Sequence, residues 1–160
     1  AVGDRFEGRA DILVWEAITL STYAGSLQGL SQLQAIGLVG EARDRLLEAE
    51  GIDPGALNGS VYTSLGSLYY QVPGWPLGFG DDAKAREYLQ KALAVNPDGI
   101  DPNYFYGDFL LEQGEYAAAE RALDKALAAP ERPQRPVADA GRRAEIRAAL
   151  ERVRKHLAER

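Results

Sequence analysis

Three stretches of this chain repeat one helix-face pattern, and two of them lie 34 residues apart. Residues 85–97 read AREYLQKALAVNP and residues 119–130 read AERALDKALAAP. Ala85 and Ala119, Leu89 and Leu123, and Ala92 and Ala126 are each separated by 34 positions. A third stretch, residues 42–54 (ARDRLLEAEGIDP), keeps Ala42, Leu46 and Ala49 at the same offsets. Spacing of i, i+4 and i+7 sets these residues on one face of a helix. The alanines let a neighbouring helix approach closely, and the proline ends the unit. So narrow an apolar stripe cannot hold a helix alone, and its recurrence predicts helical units that complete each other's cores.

A partner helix precedes each copy. Leu65-Gly66 followed by Tyr69 forms a Leu-Gly-x-x-Tyr core, Gly107 with Leu110 repeats it, and Gly114 with Tyr116 supplies a glycine and an aromatic at the next turn. These motifs resemble the tetratricopeptide repeat (TPR). Residues 57–130 resemble two such motifs and residues 10–54 a divergent third, whose first helix carries Trp15, Ile18 and Thr22. The resemblance implies an all-α fold, a superhelix of about three helical hairpins (10–54, 57–97 and 101–130) within one domain, 1–160. It also implies a concave groove, lined by the first helices, that binds peptides or other ligands. Asp81-Asp82 is expected to cap the helix starting near Ala83, and Asp101 the helix in which Pro102 takes the first position. Ile146, Ala149, Leu150, Val153 and Leu157 form one stripe over residues 138–158, a helix expected to cap the array. Arg142, Arg143, Arg147, Arg154 and Lys155 then read as its solvated side.

The spacing departs from the repeat in one informative place. Tyr69 to Ala85 spans sixteen residues, seven more than a regular unit, and Thr22 to Ala42 carries eleven extra. In the second unit the seven extra residues fall within QVPGWPLGFG, where Pro73 and Pro76 forbid helix. Burying a large aromatic is worth about 2–3 kcal/mol, so Trp75 and Phe79 are expected to fold against the body, as a lid over the groove or a plug in its side. The wording YTSLGSLYYQVPGWPLGFGDDAKA also resembles a group of bacterial, mostly exported TPR proteins with this insertion. That resemblance implies a periplasmic or exported location, with the cytoplasm as the alternative. Absence of methionine agrees with an N-terminus processed or trimmed.

Composition narrows the function further. There is no cysteine, which excludes disulfides, thiolate metal sites and a cysteine nucleophile. A formal net charge of −6 disfavours nucleic acid, even though residues 131–160 sum to +4. Two long segments, 17–40 and 54–80, carry no charge, yet Ser, Thr and Gln interrupt the first and Asn, Ser, Gln and Pro the second, so neither predicts a transmembrane span. Such segments suit plain interior packing, helices lining a groove, or a surface for self-association, and homo-oligomerisation stays open. His156 is the single histidine, Asp98, Asp101 and Asp108 lack calcium-loop spacing, and Gly78-Phe79-Gly80-Asp81 lacks the lysine of a phosphate loop. No catalytic residue, metal site or cofactor is expected.

Register along the first helices nominates the binding face: Tyr23; Thr63, Ser67, Tyr70 and Gln71; Tyr104, Asp108 and Glu112; with Trp75 and Phe79 from the insertion. Tyrosines give rigid apolar area with a polar handle, and the two acids favour a cationic or donor-rich ligand. The cationic set of TPRs that grip a terminal carboxylate is missing from these positions. The expected function is a non-enzymatic scaffold that recognises a protein or peptide through the groove. The alternative is a small-ligand accessory protein, its pocket lined by the uncharged segments and closed by the Trp75/Phe79 loop.

Overall fold

The computed structural model describes residues 2–27 and 32–159; residues 28–31, inside the first uncharged segment and including Gln28 and Ser31 among its polar breaks, lie outside them. Seven helices and no strand occur among the described residues: α1 (Val2–Ser26), α2 (Gln32–Ile52), α3 (Ala56–Gln71), α4 (Asp82–Val95), α5 (Ile100–Glu112), α6 (Tyr116–Leu127) and α7 (Pro136–Ala158). They group into two compact units, Ala1–Val95 with α1 to α4 and Asn96–Arg160 with α5 to α7. In the first unit α1 pairs with α2 and α3 with α4, and α3 also touches α1 and α2. In the second, α5 pairs with α6, and α7 packs on both.

The recurring residues are the contact points of these hairpins. Ala42, Leu46, Ala49, Ala85, Leu89, Ala92, Ala119, Leu123 and Ala126 are all fully buried. The leucines meet glycines on the opposing helix. A Cβ on Gly66 would lie 2.6 Å from Leu89 Cγ and 3.1 Å from the Leu89 backbone nitrogen. At Gly107 the same construction gives 2.7 Å to Leu123 Cγ and 3.2 Å to its nitrogen. A methyl in either place would collide with the leucine Cγ and press on the partner's backbone, so the helices would have to move apart.

Helix starts follow the expected capping in one case and depart from it in another. The Asp81 carboxylate accepts the Lys84 backbone N–H at 3.0 Å, which caps α4. In α5 the capping position is Gly99, and Asp101 does not cap. Its carboxylate instead receives Arg132 at 2.7 Å and Arg142 at 2.8 Å, charge-assisted bonds stronger than a cap. Buried Asn103 holds the preceding turn by donating to the carbonyls of Pro97 and Gly99 at 2.9 and 2.8 Å.

Helix α7 buries Ile146, Ala149, Leu150 and Val153. The solvated-side expectation holds for Arg147, Arg154 and Lys155, which are exposed, and is corrected for Arg142 and Arg143, which are half-buried. Arg142 also reaches Glu145 and lies 4.5 Å from the Tyr104 ring centroid. Arg143 donates to the carbonyls of Leu127 and Ala129, which close the end of α6. Arg154 meets Glu120 at 3.0 Å and Asp124 at 3.1 Å. Asp139, itself buried, accepts from the Arg132 guanidinium at 2.7 Å and from the Arg132 backbone N–H at 2.8 Å. Arg142 and Arg143 are anchors because the carboxylate and carbonyls they meet lie on α5 and at the end of α6, whereas the exposed Arg154 pairs add little.

Two expected outcomes test this packing. Ala126→Leu should overpack the α5/α6 hairpin and cost about 1–3 kcal/mol, read from denaturant midpoints. The Arg132 hydrogen bonds hold the Asp139 carboxyl below its ordinary pKa. The stability this contributes is present above the unfolded-state pKa and is lost as pH falls through the folded value. Asp139→Asn should therefore be less stable than wild type near neutral pH, by about 1–3 kcal/mol. Midpoints measured down to acid pH should converge once Asp139 is protonated.

Candidate functional site

The seven-residue excess leaves the α3/α4 hairpin as a closed loop. Gly80 donates to the Pro73 carbonyl at 2.9 Å, and Asp81 to the Tyr69 carbonyl at 2.8 Å. Inside that closure Leu77 and Gly78 both donate to the Gly74 carbonyl, at 3.1 and 3.2 Å. A Cβ on Gly80 would stand 1.9 Å from the Val72 carbonyl oxygen, so only glycine permits the loop to close. Trp75 occupies the corner of the inner turn.

The two aromatic residues of the loop part company. Phe79 meets Tyr69 edge-on, with centroids 5.5 Å apart, and the Arg43 guanidinium lies 4.6 Å over its ring. It extends a column in which Tyr69 stacks on Tyr88 at 5.7 Å and Tyr88 on Tyr62 at 6.1 Å. Burial, then the Glu50 carboxylate, pushes the Tyr88 hydroxyl up to about 12, so it stays protonated and donates toward Glu50 at 3.4 Å. Phe79 thus plugs the side of the hairpin. Trp75 is 90% exposed, contrary to the expectation that it folds against the body, and Leu77 beside it is 67% exposed. The loop's own backbone bonds and the Gly80 approach fix the corner outward, and this geometry outweighs the gain from burying an indole.

Beside the loop lies a cleft of about 500 Å³, within the usual range of roughly 300–1,000 Å³ for ligand sites. Ala24 and Gly25 end one wall on α1, Ile36 and Val39 form another on α2, and Leu68 comes from α3. Val72, Pro73 and Leu77 complete it from the loop. None of its lining residues is charged, and it is where the two uncharged segments meet. Ser21 and Gln71 are polar members of the wall; the Ser21 hydroxyl donates to the Ala17 carbonyl and the Gln71 amide to the Tyr70 hydroxyl. Exposed Gln71 and Leu77 stand at the rim, so the cleft opens to solvent. A smaller depression of about 370 Å³ adjoins the loop base and includes Tyr70, Gln71, Asp81 and Asp82.

The nominated residues fall in several places. Gln71 belongs to the cleft wall, and Trp75 to the turn beside it. Thr63 and Tyr70 are buried, and the Thr63 hydroxyl donates to the Gly59 carbonyl at 3.3 Å. Ser67 is half-buried and donates to the Ser64 carbonyl. Tyr23 is 53% exposed, and helical spacing groups it with Ile12, Trp15 and Thr19, away from Ser21 and Ala24. In the second unit Tyr104 and Asp108 are half-buried and Glu112 is exposed on α5. Burial and the nearby Asp108 carboxylate raise the Tyr104 pKa, and Arg142 covers its ring. Ile36, Val39, Leu68, Pro73 and Leu77 were not nominated; the absence of charge in their segments was the available signal.

Residues 77–135 match the family model described as tetratricopeptide repeat. With that match and seven helices arranged as hairpins, the chain has an all-α, TPR-like helical-hairpin fold. TPR domains in general serve protein–protein interaction and scaffolding. No curated protein matches the chain. Among the described residues no group of His, Cys, Asp and Glu is arranged to hold a metal, and no helix is long and apolar enough to cross a membrane.

The loop geometry makes a direct prediction. In a Trp15→Phe background and dilute solution, Trp75 emission should be that of a water-exposed indole and readily quenched by acrylamide. Gly80→Ala should cost about 1–3 kcal/mol by denaturant midpoint, since the added methyl collides with the Val72 carbonyl. It should also perturb the near-ultraviolet circular dichroism of the Phe79–Tyr69 pair. Unchanged stability would mean that the loop closes another way.

Proposed function

We propose that this TPR-like chain is a non-enzymatic binding module that recognises a protein partner, with the uncharged cleft and the Trp75 turn as its docking surface. The observation that carries the reading is the exposure of Leu77 at the rim of an open, uncharged cleft and of Trp75 on the turn beside it. Contiguous exposed apolar surface on a soluble domain marks interaction sites, and a rigid tryptophan is the side chain most often found as an interface anchor. Recognition along a concave groove of the first helices belongs to the same proposal. On α3 it depends on Ser67 and Gln71, because Thr63 and Tyr70 are covered. The alternative of an enclosed small-ligand pocket required the loop to close over the uncharged segments. Trp75 pointing into solvent favours a partner that brings its own covering surface. An exported location, implied by the resemblance to exported chains, is part of the proposal.

Peptide-array selection with the intact protein tests this reading. Bound peptides should be neutral and rich in aromatic or aliphatic residues, and both Trp75→Ala and Ile36→Glu should weaken them at least about tenfold. Peptides that bind equally well to all three proteins would put the docking surface elsewhere.

A further inference from the structure

The tip and the cleft form two halves of one contact, and we infer that the partner seated there is a second copy of this chain, related by a two-fold axis, with Trp75 of each copy in the cleft of the other. The inference rests on the docking-surface reading above and names its occupant. An isologous dimer needs one patch that carries both the projecting and the receiving element. Leu77 lines the cleft and lies two residues from Trp75 in the same closed loop, so projection and recess are adjacent. Neighbouring elements of this kind can exchange reciprocally across an axis passing beside the loop.

Charge favours the same occupant. Each chain carries a formal net charge of −6, so most approaches of one copy to another are repulsive. The cleft is where that repulsion is least, since none of its described lining residues is charged and the nearest acids, Asp81 and Asp82, stand in the adjoining depression at the loop base. Area is modest. A buried tryptophan removes about 150–250 Å² from water. With Leu77 and the cleft walls of both copies the total is about 1,000 Å² at most, in the size range of weak, transient associations. Association is therefore expected in the micromolar range or weaker. The indole N–H requires an acceptor once it leaves water, and the side chains of Ser21 and Gln71 in the wall offer oxygens for it.

Sedimentation of the full chain across the micromolar range tests the inference. The expected result is a rise from one chain mass to two, strengthened by added salt because the −6 charges are screened. In the Trp15→Phe background Trp75 emission should shift to the blue with the same midpoint. Trp75→Ala should stay monomeric throughout without loss of thermal stability, and Ile36→Glu, which sets a charge in the cleft, should do the same. A wild-type protein that is monomeric at every concentration overturns the inference, as does a dimer that persists in both variants. If the monomeric protein still binds neutral peptides in a Trp75-dependent way, the second copy is wrong and the docking surface stands.

Discussion

A glycine on one helix admitting a leucine from the next is the contact on which the α3/α4 and α5/α6 hairpins depend. At Gly66 with Leu89 and at Gly107 with Leu123 a Cβ would fall within 2.6 and 2.7 Å of the leucine Cγ. The two contacts are nearly identical, although 23 residues separate the first pair and 16 the second. Close packing leaves no intermediate spacing for the leucine to adopt, so the helices return to the same approach whatever chain joins them. Hairpin α1/α2 works differently. Its first helix buries the broader stripe of Ala10, Leu13, Val14, Ala17 and Ala24 against its neighbours.

A fixed approach forces the seven surplus residues out of the hairpin, and their chemistry decides what the surplus becomes. Gly80 lets the loop close on the Val72 carbonyl, Phe79 returns to the Tyr69 column, and the corner between them has nowhere to send an indole. The loop is therefore tethered on one side and presents apolar surface on the other. Val72 and Pro73 face the last turns of α1 and the first turns of α2 across the cleft, which turns an insertion into one of its walls.

What the sequence made legible was the part governed by periodicity. Small and large apolar residues at a 34-residue repeat encode close approach, and every one of those positions is fully buried. The side of the loop facing inward was legible in part: the sequence offered lid or plug for both aromatic residues, and only Phe79 returns to the hairpin. Trp75 was not legible, because the gain from burying an aromatic says nothing about whether the backbone can bring it to a surface. Arg142 and Arg143 were equally opaque. Their partners lie 41 and 14–16 residues away in sequence, outside any helical spacing, so an amphipathic pattern assigns them to solvent by default. The uncharged segments announced an unusual surface, but which of their faces meet depends on where α2 begins within the first of them.

Both units pair acids with bases at their surfaces, and the first also carries an uncharged cleft. In residues 96–160, acid and base satisfy each other: Asp101, Arg132, Asp139 and Arg142 form one connected set, and Arg143 completes the carbonyls at the end of α6. Such directional pairs fix where α7 lies. In residues 1–95 the cleft has no charges to satisfy, so nothing there acts beyond contact range, whereas charges elsewhere on the surface act over about 8 Å at physiological salt. A partner at the cleft is selected by shape and desolvation, which reward rigidity above all. A tryptophan held at the corner of a loop closed by four backbone hydrogen bonds has little freedom left in its backbone to lose on docking. The loop thus makes a tryptophan that the fold itself leaves in water well suited to being covered by another surface.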